Sequence, residues 1–133
     1  MSKFHPTPFL RKALLLDAAA SGATALLLIA GAGRLDGLLG LPMALMREAG
    51  LALIPFVAFV AWIGMREQAA RGAVWAIIAA NALWAVASVA LLASGWVAPT
   101  GLGYAFVIAQ AAVVALFGEL QYAGLERPLA TAA

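Results

Sequence analysis

Apolar residues fill four long stretches of the chain, and the breaks between them are short and either polar or rich in glycine and proline. The stretches run over about 9–33, 47–65, 72–94 and 102–125. None alternates apolar and polar positions as a barrel strand would, and all are rich in Ala and Leu, so each is predicted to be a helix. About 20 residues carry a helix across the hydrocarbon core of a bilayer. Three stretches meet that length easily. The second meets it if its helix starts near Pro42, a favourable first-turn residue, which leaves Arg47 and Glu48 at the interface. The prediction is an all-α fold: one transmembrane domain over residues 1–133, built as an integral membrane four-helix bundle.

The connections set the topology. Arg34 to Pro42 is amphipathic and is expected to lie along the interface. Residues 66–71 form a polar turn, and 95–101 carry glycine and proline as breakers without a charge. Short connections make sequential helices antiparallel neighbours. Lys3, Arg11, Lys12, Arg66, Arg71 and Arg127 then fall on one side, and only Arg34 and Arg47 on the other. The positive-inside rule places both termini in the cytoplasm. Trp62, Trp75 and Trp96 fall near span ends, as an aromatic belt would, while Trp84 lies deeper and is expected to pack between helices.

Composition supports the membrane reading. Of 133 residues, 65% are hydrophobic and 11% charged, against roughly 45–50% and 25% in soluble domains. The net charge of +2, with basic residues at segment ends, is no nucleic-acid footprint. The absence of cysteine excludes disulfides, thiolate metal sites and thiol nucleophiles. The single histidine, His5, builds no bis-histidine haem or metal site in one chain. Ser and Thr lack an internal His as base. Ala30-Gly-Ala-Gly33 ends a helix and lacks the Lys-Ser/Thr of a phosphate loop. No enzymatic activity and no cofactor is therefore expected. Lys3, Arg11, Lys12 and the apolar run that ends at Ala30-Gly-Ala32 have the outline of a cleaved leader. The run is too long and holds an aspartate, so it is read as a retained span.

That aspartate is the most informative residue. A carboxylate in the middle of an apolar span costs about 2.5–3.5 kcal/mol on insertion scales, so Asp17 needs a reason. Asn81, sixty-four residues on, repeats its setting: Asp17, Thr24 and Gly31 match Asn81, Ser88 and Gly95. The chain reads as two copies of one transmembrane hairpin, a parallel repeat about an axis along the membrane normal. Ser21, Thr24, Asn81 and Gln110 form a layer near the midplane. Asp17 and Glu119 lie nearer the cytoplasmic face, with Gln121 and Tyr122 beyond Glu119. Two carboxylates at one depth in a low dielectric are suited to holding a proton between them. The plainer alternative pairs each with Arg11, Lys12, Arg66 or Arg71. Asn81 and Gln110 are expected to join helices as polar glue. Pro55 frees the carbonyl of Leu51 in the second span and is the candidate hinge.

The run Leu14 to Gly31, with Gly37-Leu-Leu-Gly-Leu-Pro42, Asn81-Ala-Leu-Trp84, Gly95-Trp-Val-Ala-Pro-Thr100 and Glu119-Leu-Gln-Tyr122, resembles small four-helix proteobacterial inner-membrane proteins of unknown function. The resemblance covers about residues 9–127. It implies a multi-pass location in the bacterial inner membrane and no particular activity. In size and span count the chain is also similar to small multidrug-resistance transporters, which carry an acidic residue in the first span. It departs from them in having Asp17 instead of glutamate, a second acid in the fourth span, and a charge bias unsuited to dual topology.

Two functional readings follow. The first is a non-enzymatic accessory or scaffold protein, a homo-oligomer or a subunit of a larger membrane complex, with the lipid bilayer and protein as partners and no nucleic acid. The second is a proton-coupled carrier of a small or hydrophobic solute. Asp17 and Glu119 would be its proton sites, Thr24, Asn81 and Gln110 its path and Pro55 its hinge. The first takes precedence because polar residues in a bundle are usually satisfied structurally.

Overall fold

The structure, a computed structural model, describes residues 3–126; residues 1–2 and 127–133, with Arg127 of the charge count, lie outside the described residues. The chain forms four helices, α1 (Pro8–Leu39), α2 (Met43–Met65), α3 (Arg71–Ser94) and α4 (Gly101–Glu126). Each is long and apolar enough to cross a membrane. Two short strands, β1 (Lys3–Phe4) and β2 (Ala69–Ala70), pair antiparallel, with Lys3 opposite Ala70 and Phe4 opposite Ala69. They tie the segment before α1 to the α2–α3 connection. The end of the bundle that holds this pair is called proximal below, and the opposite end distal.

Local chemistry explains the boundaries. Thr7 starts α1: its hydroxyl accepts the N–H of Leu10 at 3.1 Å, and Pro8 follows at the first helical position. The end of α1 differs from the sequence expectation. Arg34 to Leu39 is not a separate interfacial linker but the last part of α1. Gly37 keeps a helical backbone there, and Leu35 and Leu39 continue the apolar face into the core. Gly40 stops the helix in the left-handed conformation (φ 69°) and donates its N–H to the carbonyl of Asp36. α2 begins directly after Pro42, which lengthens it to 23 residues and moves Arg47 and Glu48 into its second turn. Gly95 ends α3 at φ 74°, whereas its sequence counterpart Gly31 lies inside α1. Thr100 starts α4, where its hydroxyl accepts the N–H of Gly103 at 3.1 Å. The same hydroxyl donates to the carbonyl of Leu38, and the Thr100 N–H donates to Leu39. One threonine thus both caps α4 and fastens the α3–α4 connection to the end of α1.

Packing is uneven around the bundle. α1 packs most closely on α2, α3 on α4, and α4 also on α1, while α2 and α3 barely touch. Glycine sets the closest approaches. A Cβ at Gly50 would fall 3.0 Å from the Ala25 carbonyl oxygen and 2.7 Å from Ile29, and a Cβ at Gly103 would collide with the Leu39 carbonyl. Small residues at such crossings let helix backbones approach closely. Two apolar clusters fill the interior. The proximal one centres on Leu10, Leu14, Val60, Ile63, Val74 and Ile77, the distal one on Leu28, Ala32, Leu39, Met46, Leu53 and Val107.

These contacts predict contrasting glycine variants. Gly103→Val overpacks the α1–α4 contact and is expected to cost about 1–3 kcal/mol. Gly33→Ala, with nothing within 4 Å of its added Cβ, is expected to be neutral or to gain up to about 1 kcal/mol from helix propensity. Reversible unfolding in mixed micelles measures both.

Candidate functional site: a buried polar cluster beside an interhelical crevice

Asp17 stands in the ninth position after Pro8, roughly 14 Å along α1 at the rise of a helix. The side chain is 0% exposed. Three donors meet its carboxylate. Ser21, one turn on in α1, donates its hydroxyl to Oδ1 at 3.0 Å. Asn81 of α3 donates Nδ2–H to Oδ2 at 2.8 Å, and Gln121 of α4 donates Nε2–H to the same oxygen at 2.7 Å. Asn81 Nδ2 also donates to Gln121 Oε1 at 3.0 Å, which closes a ring between the three helices. The amide orientations follow from this network: Asn81 Nδ2 sits between two acceptors, so nitrogen belongs there. Among the described residues, no buried side-chain nitrogen or oxygen is left without a partner.

No cation takes part. Among the described residues, Asp17 makes no ion pair, and the four basic residues considered for it lie elsewhere. Arg11 crosses to the end of α2 and donates from Nη1 to the carbonyls of Gly64 and Arg66, both at 2.7 Å. Arg66 lies over the ring of Trp62, 4.5 Å from its centroid. Arg71 reaches the Leu125 carbonyl at 3.5 Å and Glu126 at 3.9 Å. Lys12 is exposed. Basic side chains thus serve the C-terminal carbonyls of α2 and α4, where the helix dipole favours them.

A second polar group sits further toward the distal end. Gln110 of α4 accepts the indole N–H of Trp84 at 2.8 Å and donates to the Ser88 hydroxyl at 3.0 Å and the Val107 carbonyl at 2.8 Å. Ser88 returns its own hydrogen to the Trp84 carbonyl at 2.7 Å. Thr24 donates to the Ala20 carbonyl within its own helix. Trp84 does pack between helices, with its indole nitrogen occupied by Gln110.

Between the two polar groups the bundle is open. Where α2 and α3 fail to meet, a crevice of about 370 Å³ is walled by Ala52, Leu53, Phe56 and Leu83, and Ser21 and Asn81 reach it. Two further hollows, of about 290 and 270 Å³, share Trp84, Thr24 and Gln110 with one another. Their walls are almost wholly apolar.

The sequence candidates therefore divide. Asp17 and Asn81 are brought into direct contact. Gln110 belongs to the separate group with Trp84 and Ser88, and Thr24 lines the hollows between. Glu119 is exposed on the outer surface of α4, beside a shallow groove between α3 and α4, and does not join Asp17. Pro55 is exposed on α2, which runs through it as one helix. Ser21 and Gln121 are the cluster members that the site prediction omitted. The signal for Gln121 was its place on the stripe Gly103, Val107, Ala111, Gly118, Gln121, the buried face of α4. Among the described residues, no three His, Cys, Asp or Glu side chains come together as a metal site would require. Comparison with known proteins gave no match: no family model fits the chain, and no curated protein or solved structure is similar to it.

Removing the acceptor at the centre leaves buried donors stranded. Asp17→Leu is expected to destabilise the bundle by about 1–3 kcal/mol, the cost of unsatisfied buried groups. Glu119→Gln, on the surface, is expected to stay within about 0.5 kcal/mol of the parent. Chemical unfolding in micelles, followed by circular dichroism, compares the two.

Proposed function

We propose that the chain is a non-enzymatic, four-span integral protein of the bacterial inner membrane that acts as an accessory or scaffold element. It would work as a homo-oligomer or as a small subunit of a larger membrane complex. The observation that carries this reading is the closure of the Asp17 cluster: a carboxylate sealed from solvent, met by three neutral donors, with no cation and no second carboxylate beside it. A proton-coupled site made of Asp17 and Glu119 would need the two acids to share an environment, and they stand on opposite sides of the α4 surface, one inside and one outside. Polar groups that saturate one another serve to join helices.

The outer surface supports the same reading. Only 11% of the most apolar stretch of α3 is buried, against 39% in α1. So much uncovered apolar helix suits lipid and partner helices alike.

The repeat is part of this proposal. Near the start of each hairpin an arginine, at positions that the sixty-four-residue spacing does not match, reaches the C-terminal carbonyls of the second helix: Arg11 to Gly64 and Arg71 to Leu125. The paired polar positions Asp17 and Asn81 hydrogen-bond to each other across the bundle, as matched residues near a twofold axis would. With the proximal end cytoplasmic, both termini lie inside, in keeping with the excess of basic residues there.

Two experiments test the reading. Native mass spectrometry of the tagged protein, taken from native membranes in mild detergent, is expected to show a defined oligomer or a stoichiometric foreign subunit; a bare monomer speaks against it. The chain has no cysteine, so single cysteines report topology cleanly. Gln68→Cys is expected to react with an impermeant maleimide only after the inner membrane is opened, and Gly37→Cys in cells with only the outer membrane permeabilised.

A further inference from the structure

Asn81 has two amide ends, and the Asp17 cluster uses only one. Both of its hydrogen bonds run from Nδ2, to Asp17 and to Gln121. Among the described residues its Oδ1 enters no hydrogen bond, although the residue is only 2% exposed. No sealed side-chain oxygen among the described residues lacks a partner, so Oδ1 must meet open space. Among the hollows described above, the one that Asn81 lines is the crevice of about 370 Å³ between α2 and α3. A well-placed acceptor thus sits at the floor of an apolar cavity, the usual make-up of a small-molecule site.

We infer that this crevice binds a membrane-soluble alcohol: a hydrocarbon body along the apolar walls, with its hydroxyl donating to Asn81 Oδ1. The inference goes beyond the scaffold reading and rests only on the helices lying in a bilayer. Three observations select the ligand class. The crevice lies where α2 and α3 barely touch, so in a membrane it would be reached from the hydrocarbon, and the ligand would arrive dissolved in lipid. Its polar floor offers no free donor among the described residues, because the Asn81 hydrogens go to Asp17 and Gln121, the Ser21 hydroxyl hydrogen goes to Asp17, and the Trp84 indole hydrogen goes to Gln110. A ligand with acceptors alone, such as an ether or ester, finds nothing to bond. A cation finds no direct counter-charge either. The Asp17 carboxylate lies behind the amide, sealed by its three donors, and does not border the crevice. Burying an ammonium against apolar walls without a contacting anion costs far more than burying a hydroxyl that finds an acceptor.

Trp84 borders the crevice and both neighbouring hollows, which gives a direct readout. In the full chain carrying Trp62→Phe, Trp75→Phe and Trp96→Phe, Trp84 is the sole indole. The probes are 11-bromoundecan-1-ol, its methyl ether and the matching primary amine, each titrated against the protein in nanodiscs with bromine quenching of Trp84 followed. Saturable quenching by the alcohol is expected at a concentration at least tenfold below that of the ether or the amine. Ala87→Phe, which fills the crevice from α3, is expected to raise the alcohol midpoint at least tenfold, and Ala52→Leu on the facing wall to do the same. Equal quenching by alcohol and ether, tighter binding of the amine, or a linear response unchanged by both filling variants would each overturn the inference. The oligomer measured by native mass spectrometry fails or holds independently of these outcomes.

Discussion

A carboxylate sealed inside a helical bundle has to be met by donors, because burial without them costs several kcal/mol. In this chain the constraint falls on Asp17. A single helix cannot satisfy it: only Ser21, one turn away, comes from α1 itself, and the other two donors arrive on α3 and α4. Satisfying Asp17 therefore fixes the axial register of three helices at once. A shift of α3 by one residue would rotate Asn81 by about 100° off the cluster. α2 lies outside this arrangement and is held by other means, namely the close approach at Gly50 and the Arg11 side chain on its last carbonyls.

The crevice follows from the same division of labour. α1 and α4 are drawn together by the polar ring and by backbone contact at Gly103. No equivalent link joins α2 to α3, which meet only weakly. In water such a seam would close to bury its apolar walls. For helices lying in a bilayer, as proposed, lipid would supply no such drive, since its tails are as apolar as the side chains, and a seam without small-residue packing or hydrogen bonds would stay open.

Much of this was legible in the sequence, and the gaps have physical causes. Four helices follow from segment length and composition alone. Asp17 and Asn81 stand out because polar groups are costly in apolar spans. The choice of Glu119 over Gln121 shows the limit. The two residues are neighbours in the chain, so depth does not separate them; only the helical face does. In a membrane helix both inner and outer faces are apolar, and the periodicity that orients a soluble helix is faint. The small-residue stripe that ends in Gln121 held the answer, but Ala and Gly are so common in this chain that many stripes can be drawn. The end of α1 was misjudged for a related reason. Arg34 and Asp36 suggested a surface linker, yet charged residues do not stop a helix, whereas the left-handed glycine at position 40 does. The pairing of β1 with β2 spans only two residues on each side, too few for any pattern to register.

Asn81 connects the two parts of the molecule. Its nitrogen belongs to the ring that sets helix register, and its oxygen is the acceptor that the inferred ligand would use. An amide whose oxygen accepts a hydrogen bond becomes a stronger donor at nitrogen, because hydrogen bonds in a chain polarise one another. A hydroxyl docked at Oδ1 would therefore tighten the bonds from Nδ2 to Asp17 and Gln121 rather than compete with them. Occupancy of the crevice and stability of the bundle are then linked in one direction: a ligand at about a hundred times its dissociation constant adds about 2.7 kcal/mol to the folded state. That is more than one interhelical hydrogen bond in a membrane typically provides, about 0.6 kcal/mol. If the crevice binds as inferred, the bundle would hold its shape most firmly where that ligand is present, since Asn81 would meet the ligand through Oδ1 and joins the helices through Nδ2.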